Sequence, residues 1–184
     1  MELDQSGDLI RAELKIKDGE TVALRPARPD DRPLIEEMFR GCSGKTLFTR
    51  FLSPGLGVPL RYLDRLMAHK PPETLALIAL VPGKEPGKER VVGLMNFVET
   101  ESGARGEIAI VVIDDYQNRR LGTAMLQVLY QLAQARGICN FIADIDAGNR
   151  RVFHLIQRSG LPCKIDIDSG VAHAEVDMKG ELKF

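Results

Sequence analysis

Hydrophobic and polar positions repeat with two different periods along this chain, and the change-overs mark its elements. Thr21-Val22-Ala23-Leu24-Arg25 alternates at period two, as a half-buried strand does, and Pro26 and Pro29 end it. Asp30 or Asp31 then caps a helix running through Glu36, Met38 and Phe39. Pro33 sits in its first turn, where the missing N–H has no partner to lose. Residues 44–68 carry a helical pattern broken by Ser53-Pro54-Gly55-Leu56-Gly57, and the second piece places Leu63, Leu66 and Met67 on one face. Two continuous apolar runs, Thr74 to Val81 and Val91 to Val98, flank a charged turn and predict a hairpin. Glu107 to Ile113 is a third run, rich in β-branched residues. It leads through Asp114-Asp115-Tyr116 into a helix from about Leu121 to Arg136, closed by Gly137. Leu121, Met125, Val128, Leu129 and Leu132 form the buried stripe of that helix. Ile138 to Ile145 reads as a strand, Asn149 to Ser159 as a helix closed by Gly160, and Lys164–Asp168 and Val171–Met178 as two short strands. Residues 1–20 keep no clean period. They predict an arm with a turn at Lys17-Asp18-Gly19 and a short strand around Leu14 to Ile16.

This order predicts an α/β fold: a single mixed, mostly antiparallel sheet of about 6–7 strands flanked by helices. The expected boundaries are an arm over 1–20, a domain over 21–178 and a tail over 179–184. At 184 residues the chain is long enough for one domain with a real core, and 44% hydrophobic against 28% charged residues excludes wholesale disorder. Twenty-five Lys+Arg against 26 Asp+Glu argue against a dedicated nucleic-acid binder, which carries a basic excess. No apolar stretch is long enough to span a bilayer, and the first residues are polar and acidic, so neither a membrane segment nor a leader is expected. Cys42, Cys139 and Cys163 are odd in number and lack Cys-x-x-Cys spacing. They fit a reducing cytoplasm better than a disulfide framework or a zinc site.

Chemistry concentrates after the third apolar run. In Asp114-Asp-Tyr-Gln117-Asn118-Arg119-Arg120-Leu121-Gly122-Thr123 a buried strand runs into a tight basic turn and then a helix N-terminus. Backbone N–H groups and the positive end of the helix dipole converge there, which makes an anion site with several donors, suited to a pyrophosphate. It is not a Walker loop, because no Gly-Lys-Ser/Thr follows. It is not a Rossmann turn either, because the three set glycines are missing.

This segment resembles motif A of the GNAT N-acetyltransferase superfamily, Gln/Arg-x-x-Gly-x-Gly/Ala, with matches at Gln117 and Gly122 and with Arg120 in place of the first glycine. Asn149 to Leu161, a helix opened by Asn and ended by Gly plus a large apolar residue, is similar to motif B. Leu24-Arg25-Pro26-Ala27-Arg28-Pro29-Asp30-Asp31 is similar to the family's opening strand and helix cap. The bipartite helical region containing Thr49-Arg50-Phe51-Leu52 is similar to the bacterial protein-lysine acetyltransferase branch. Together these span roughly residues 21–178.

The resemblance implies a sheet splayed at the cofactor site and acetyl-CoA as acetyl donor. Backbone groups of Ile110, Val111 and Val112 would bond the pantetheine arm. Those of Gln117, Asn118, Arg119, Arg120, Leu121, Gly122 and Thr123 would hold the pyrophosphate, and Asn149 would touch the cofactor from the next helix. Glu107 is the implied general base, Val112 N–H the implied oxyanion donor, and Asp144 the backup acid or base. Glu99 and Glu101 are weaker candidates. The expected reaction is direct attack of a primary amine, best a protein lysine, on the thioester. A small-molecule amine or a catalytically weak acyl-CoA-binding regulatory module are the alternatives. The expected partners are acetyl-CoA and the amine, with no nucleic acid, membrane or metal, in a monomer or homodimer.

Bland readings stand beside these. Arg120 either adds a phosphate ligand or places a side chain where φ > 0 is required. Glu107 on its own reads as a solvated strand end. The helix position that holds a thiolate-protonating tyrosine in many relatives is Ile156 here. Coenzyme A is nonetheless a tolerable leaving group, with a thiol pKa of roughly 8.5. His69, His154 and His173 lack ligand spacing and read as structural or surface residues, Cys139 reads as core, and Asp144 with Asp146 is poor metal evidence.

Overall fold

The computed structural model describes residues 1–4, 8–53, 58–68, 73–100 and 105–184. Its elements, in chain order, are β1 (Glu2–Leu3), β2 (Leu9–Lys15), β3 (Thr21–Pro26), α1 (Arg32–Arg40), α2 (Gly44–Phe51), α3 (Leu60–Met67), β4 (Thr74–Pro82), β5 (Glu89–Glu99), β6 (Arg105–Val112), α4 (Leu121–Ala135), β7 (Asn140–Asp146), α5 (Arg150–Ser159), β8 (Cys163–Asp168) and β9 (Val171–Asp177). The strands form one sheet in the order β1-β2-β3-β4-β5-β6-β7-β9-β8. Every pair is antiparallel except β6–β7.

Nine strands stand where six to seven are expected, and the surplus lies in the first 20 residues. β2 pairs with β3 from Ala12↔Leu24 to Lys15↔Thr21, and Leu9, Ala12, Leu14 and Ile16 are buried. The alternation is clean from Ala12 onward. Leu9 is buried and exposed Ile10 follows it, and this slip in phase hides the strand from a period-two reading. β1 is two exposed residues long, too short to carry a period.

β4 is buried along almost its whole length, because helices cover both faces of the sheet there, and this is why it reads as an unbroken apolar run. Gly93 of β5 faces Met125 of α4, whose sulfur would lie 3.1 Å from a Cβ at that glycine. Asn96, on the opposite face of the same strand, meets Arg50 of α2 and Tyr62 of α3. The alternation of β5 and β6 therefore assigns faces. Ile108, Ile110 and Val112 share the α4 face with their partners Phe97, Met95 and Gly93. Glu107, Ala109 and Val111 share the α2–α3 face with Val98, Asn96 and Leu94.

Phe97 crosses over Gly106 of β6 to meet Phe141 of β7 edge-to-face, with ring centroids 6.2 Å apart. A Cβ on Gly106 would lie 1.7 Å from the Phe97 ring, so only glycine permits this crossing.

Candidate active site

β6 and β7 pair only at Arg105↔Asn140, Gly106↔Phe141 and Glu107↔Ile142. Beyond those rungs β6 runs on to Val112 and β7 to Asp146 without each other, and the sheet opens into a V. The register fixes which backbone groups face the gap. Ile113 N–H donates to Val92 O, so Val111 and Ala109 are also turned toward β5, while Ile110 and Val112 are turned away from it. Ile110 and Val112 thus offer strand hydrogen-bonding groups to the opening. Val111, expected beside them, is bonded across to Leu94. The Val112 carbonyl already accepts from the Gln117 side chain at 3.0 Å, and the register turns its N–H away from β5 toward the gap.

The strand leaves the V through a turn at Asp114–Tyr116, and two non-glycine residues then bend the chain left-handed, Asn118 at φ 60° and Arg120 at φ 68°. The second is the position where the motif carries glycine, so the backbone demands what glycine gives freely. α4 starts immediately after. The N–H groups of Leu121, Gly122 and Thr123 have no intrahelical acceptor, and Gly122 has open space where a Cβ would stand. The Asn118 and Arg120 side chains line the same cleft.

Arg119 does something else. Its guanidinium pairs with Asp18 and with Glu20 (2.5 Å) and lies 4.3 Å over the Tyr116 ring, while its carbonyl accepts from Lys17 N–H at 2.9 Å. The side chain fastens the turn to the segment between β2 and β3 and does not line the cleft.

Asp114 ties α2 to the end of β6. It accepts from Ser43 N–H (2.9 Å), Ser43 Oγ (2.7 Å) and Thr46 Oγ1 (2.9 Å). Burial works against its charge, but these donors outweigh burial and hold its pKa below the usual carboxylate value. Gln117 extends the network, donating to Thr46 Oγ1 at 3.0 Å and accepting from Arg151 of α5. Sequence reasoning missed this hub, because its members lie some seventy residues apart.

Asn149 caps α5, accepting from Val152 N–H at 3.4 Å, and it also lines the cleft. Ile156 packs among Ile145, Val152 and Phe153, where a phenol would find an apolar setting. The cleft has a volume of about 880 Å³ and passes through the V, with α4 and α5 at one end and Thr49, Arg50 and Asp144 at the other.

Glu107 stands on the last paired rung, exposed, on the α2–α3 face, at the apex of the V and outside the lining of the cleft. Asp144 lines the cleft and bonds His173 Nδ1 at 2.6 Å, an interaction that no reading of the histidines anticipates. Glu99 is half-buried at the end of β5, and Glu101 and His69 fall outside the described residues. Among the described residues there is no cluster of three or more metal-ligating side chains, and no helix is long and apolar enough to cross a membrane.

An opened sheet, a tight turn and a helix N-terminus with free N–H groups meet at the mouth of the gap, an arrangement chemically suited to an anion. The sequence profile of the acetyltransferase (GNAT) family matches residues 45–161, and the chain belongs to that family. It is an acetyl-CoA-dependent N-acetyltransferase. The acetyltransferase PA5475 of Pseudomonas aeruginosa is 28% identical over 153 residues, covering 83% of this chain and 81% of its own. Among solved structures, the GNAT domain of S. lividans PAT superposes with a TM-score of 0.80 at 22% identity, covering 91% of this chain and 96% of that one. A cAMP-binding acyltransferase from Mycobacterium smegmatis gives 0.61 at 22% identity. It covers 92% of this chain, which spans 48% of that protein. At these identities the solved structures speak to the fold.

Proposed function

We propose that this enzyme transfers an acetyl group from acetyl-CoA to the side-chain amine of a protein lysine by direct attack, with Glu107 as general base. The observation that carries the reading is the V itself, which opens beyond the rung of Glu107, with the N-terminus of α4 lining the cleft and the exposed Glu107 carboxylate beside it at the apex. The lysine rests on the resemblance of Thr49-Arg50-Phe51-Leu52 to the bacterial protein-lysine branch.

The residues present suit the donor. Its pantetheine amides are supported by the outward-turned backbone groups of Ile110 and Val112. Its pyrophosphate is supported by the N–H groups of Leu121, Gly122 and Thr123 together with Arg120, whereas Gln117 N–H is already donated to Asp114 O, and Asn149 flanks the arm. Bound acetyl-CoA supplies the thioester and a thiolate leaving group. An amine of pKa about 10.4 arrives protonated at neutral pH and must lose that proton before it attacks. Glu107 is exposed on the face from which the amine comes, and the Val112 N–H points into the gap where oxygen charge develops.

The test is coenzyme A release from acetyl-CoA and a lysine peptide by wild type and Glu107→Gln, with donor affinity measured alongside by calorimetry. The expected result is a fall of about 10²–10⁴-fold in kcat with donor binding unchanged. Unaltered turnover and an unaltered pH–rate profile would refute the base assignment.

A further inference from the structure

Among the described residues Arg50 is a charge without a counter-charge. Its Nη2 donates to Tyr62 Oη at 3.0 Å and to Asn96 Oδ1 at 2.8 Å, both neutral oxygens. The guanidinium carbon lies 5.0 Å from the Phe51 ring centroid and 4.9 Å from that of Tyr62. Its Nε is buried and has no partner, the one such side-chain atom among the described residues. Among those residues no carboxylate stands within ion-pair distance of it. The other well-covered arginines are paired: Arg25 with Asp31 at 2.6 Å, Arg119 with Asp18 and Glu20, and Arg136 with Asp8. Arg50 is half-buried, and holding a guanidinium partly out of water without an anion is unfavourable; a buried Nε donor left unmade marks a place with another demand on it.

The location supplies the demand. Arg50 lines the cleft, on the sheet face of Glu107. Asn96, which it bonds, is the cross-strand partner of Ala109, and Glu107 lies two residues along the same face from Ala109, roughly 7 Å away. Two aromatic rings and two hydrogen bonds hold the planar fork in one pose, the preorganisation that two-point carboxylate recognition uses.

We infer that Arg50 binds a carboxylate of the acceptor, so that the amine acetylated is one accompanied by a carboxylate within about the span of a lysine side chain. This deepens and rests on the N-acetyltransferase reading. The carboxylate comes either from the free main chain of an amino acid or from an acidic side chain next to the lysine in a polypeptide.

The decisive comparison uses the wild-type protein. Nα-acetyl-lysine is set against its methylamide, and a Lys peptide with a neighbouring Asp against the Asn analogue, each assayed for coenzyme A release. Each is also titrated calorimetrically into the complex with coenzyme A. The expected result is a KM or Kd at least tenfold higher for the uncharged member of one pair, with kcat within threefold. Which pair shows it identifies the source of the carboxylate. Arg50→Lys and Arg50→Met should shrink the difference to under threefold. Equal binding of both members of both pairs by the wild type would overturn the inference. The same holds if the preference persists undiminished in a folded Arg50→Met protein. The titrations read binding without turnover, so absence of coenzyme A release with every amine would count against the enzymatic reading alone.

Discussion

Arg120 and Arg119 are neighbours of the same type with opposite employment, and nothing in their covalent order distinguishes them. Arg119 is spent on Asp18, Glu20 and Tyr116, whereas Arg120 faces the cleft from a left-handed backbone at φ 68°. An L-residue in that region carries a penalty of about 1 kcal/mol that glycine avoids. Arg120→Gly is therefore expected to raise the melting temperature by roughly 2–4 °C. The same change removes a cleft-lining guanidinium, the proposed phosphate ligand, and should weaken acetyl-CoA binding by about tenfold. Calorimetric melting and donor titration check both halves, and a lower melting temperature would show that the arginine makes contacts worth more than its strain. The motif was legible at this scale because residues 117–123 are contiguous. Arg50 was not, since its partners Tyr62 and Asn96 lie 12 and 46 positions away.

Among elements, the helices were the most legible. α4 begins at Leu121 and buries Leu121, Met125, Val128, Leu129 and Leu132, as its 3.6-residue stripe requires, and Gly137 follows at φ 71°. The strands were legible as runs but not as register. Ile110, Val111 and Val112 look alike in sequence, and only pairing with β5 turns the first and third toward the gap and the second away. The extent of the β6–β7 pairing was equally invisible, because it depends on Phe97 reaching Phe141 over a residue with no side chain. Gly106→Ala should push that ring aside and cost about 1–3 kcal/mol, a fall of roughly 3–10 °C in melting temperature. If thermal unfolding shows no loss, the aromatic crossing does not hold the two strands together.

For the whole molecule, the sheet carries a fault line. Strands at the margins of a sheet present unpaired N–H and C=O groups, which proteins usually cover or shorten. Here two such margins lie inside the sheet, facing one another across the V. In the proposed function an acetyl-CoA arm with its two amides would serve as a substitute strand, and binding it would close the sheet that the chain leaves open. Saturating donor at about 100 times its Kd should add about 2.7 kcal/mol to global stability. Amide hydrogen exchange should slow at Ile110 and Val112 while Val111, already bonded to β5, changes little. Equal slowing at all three would place the donor elsewhere. With the donor bound in this way the protein's secondary structure would be complete only when its substrate is present: the supply of acetyl-CoA would then govern how well the enzyme survives as well as how fast it works, and starvation for the donor would leave an internal sheet margin open to any extended peptide that reaches it.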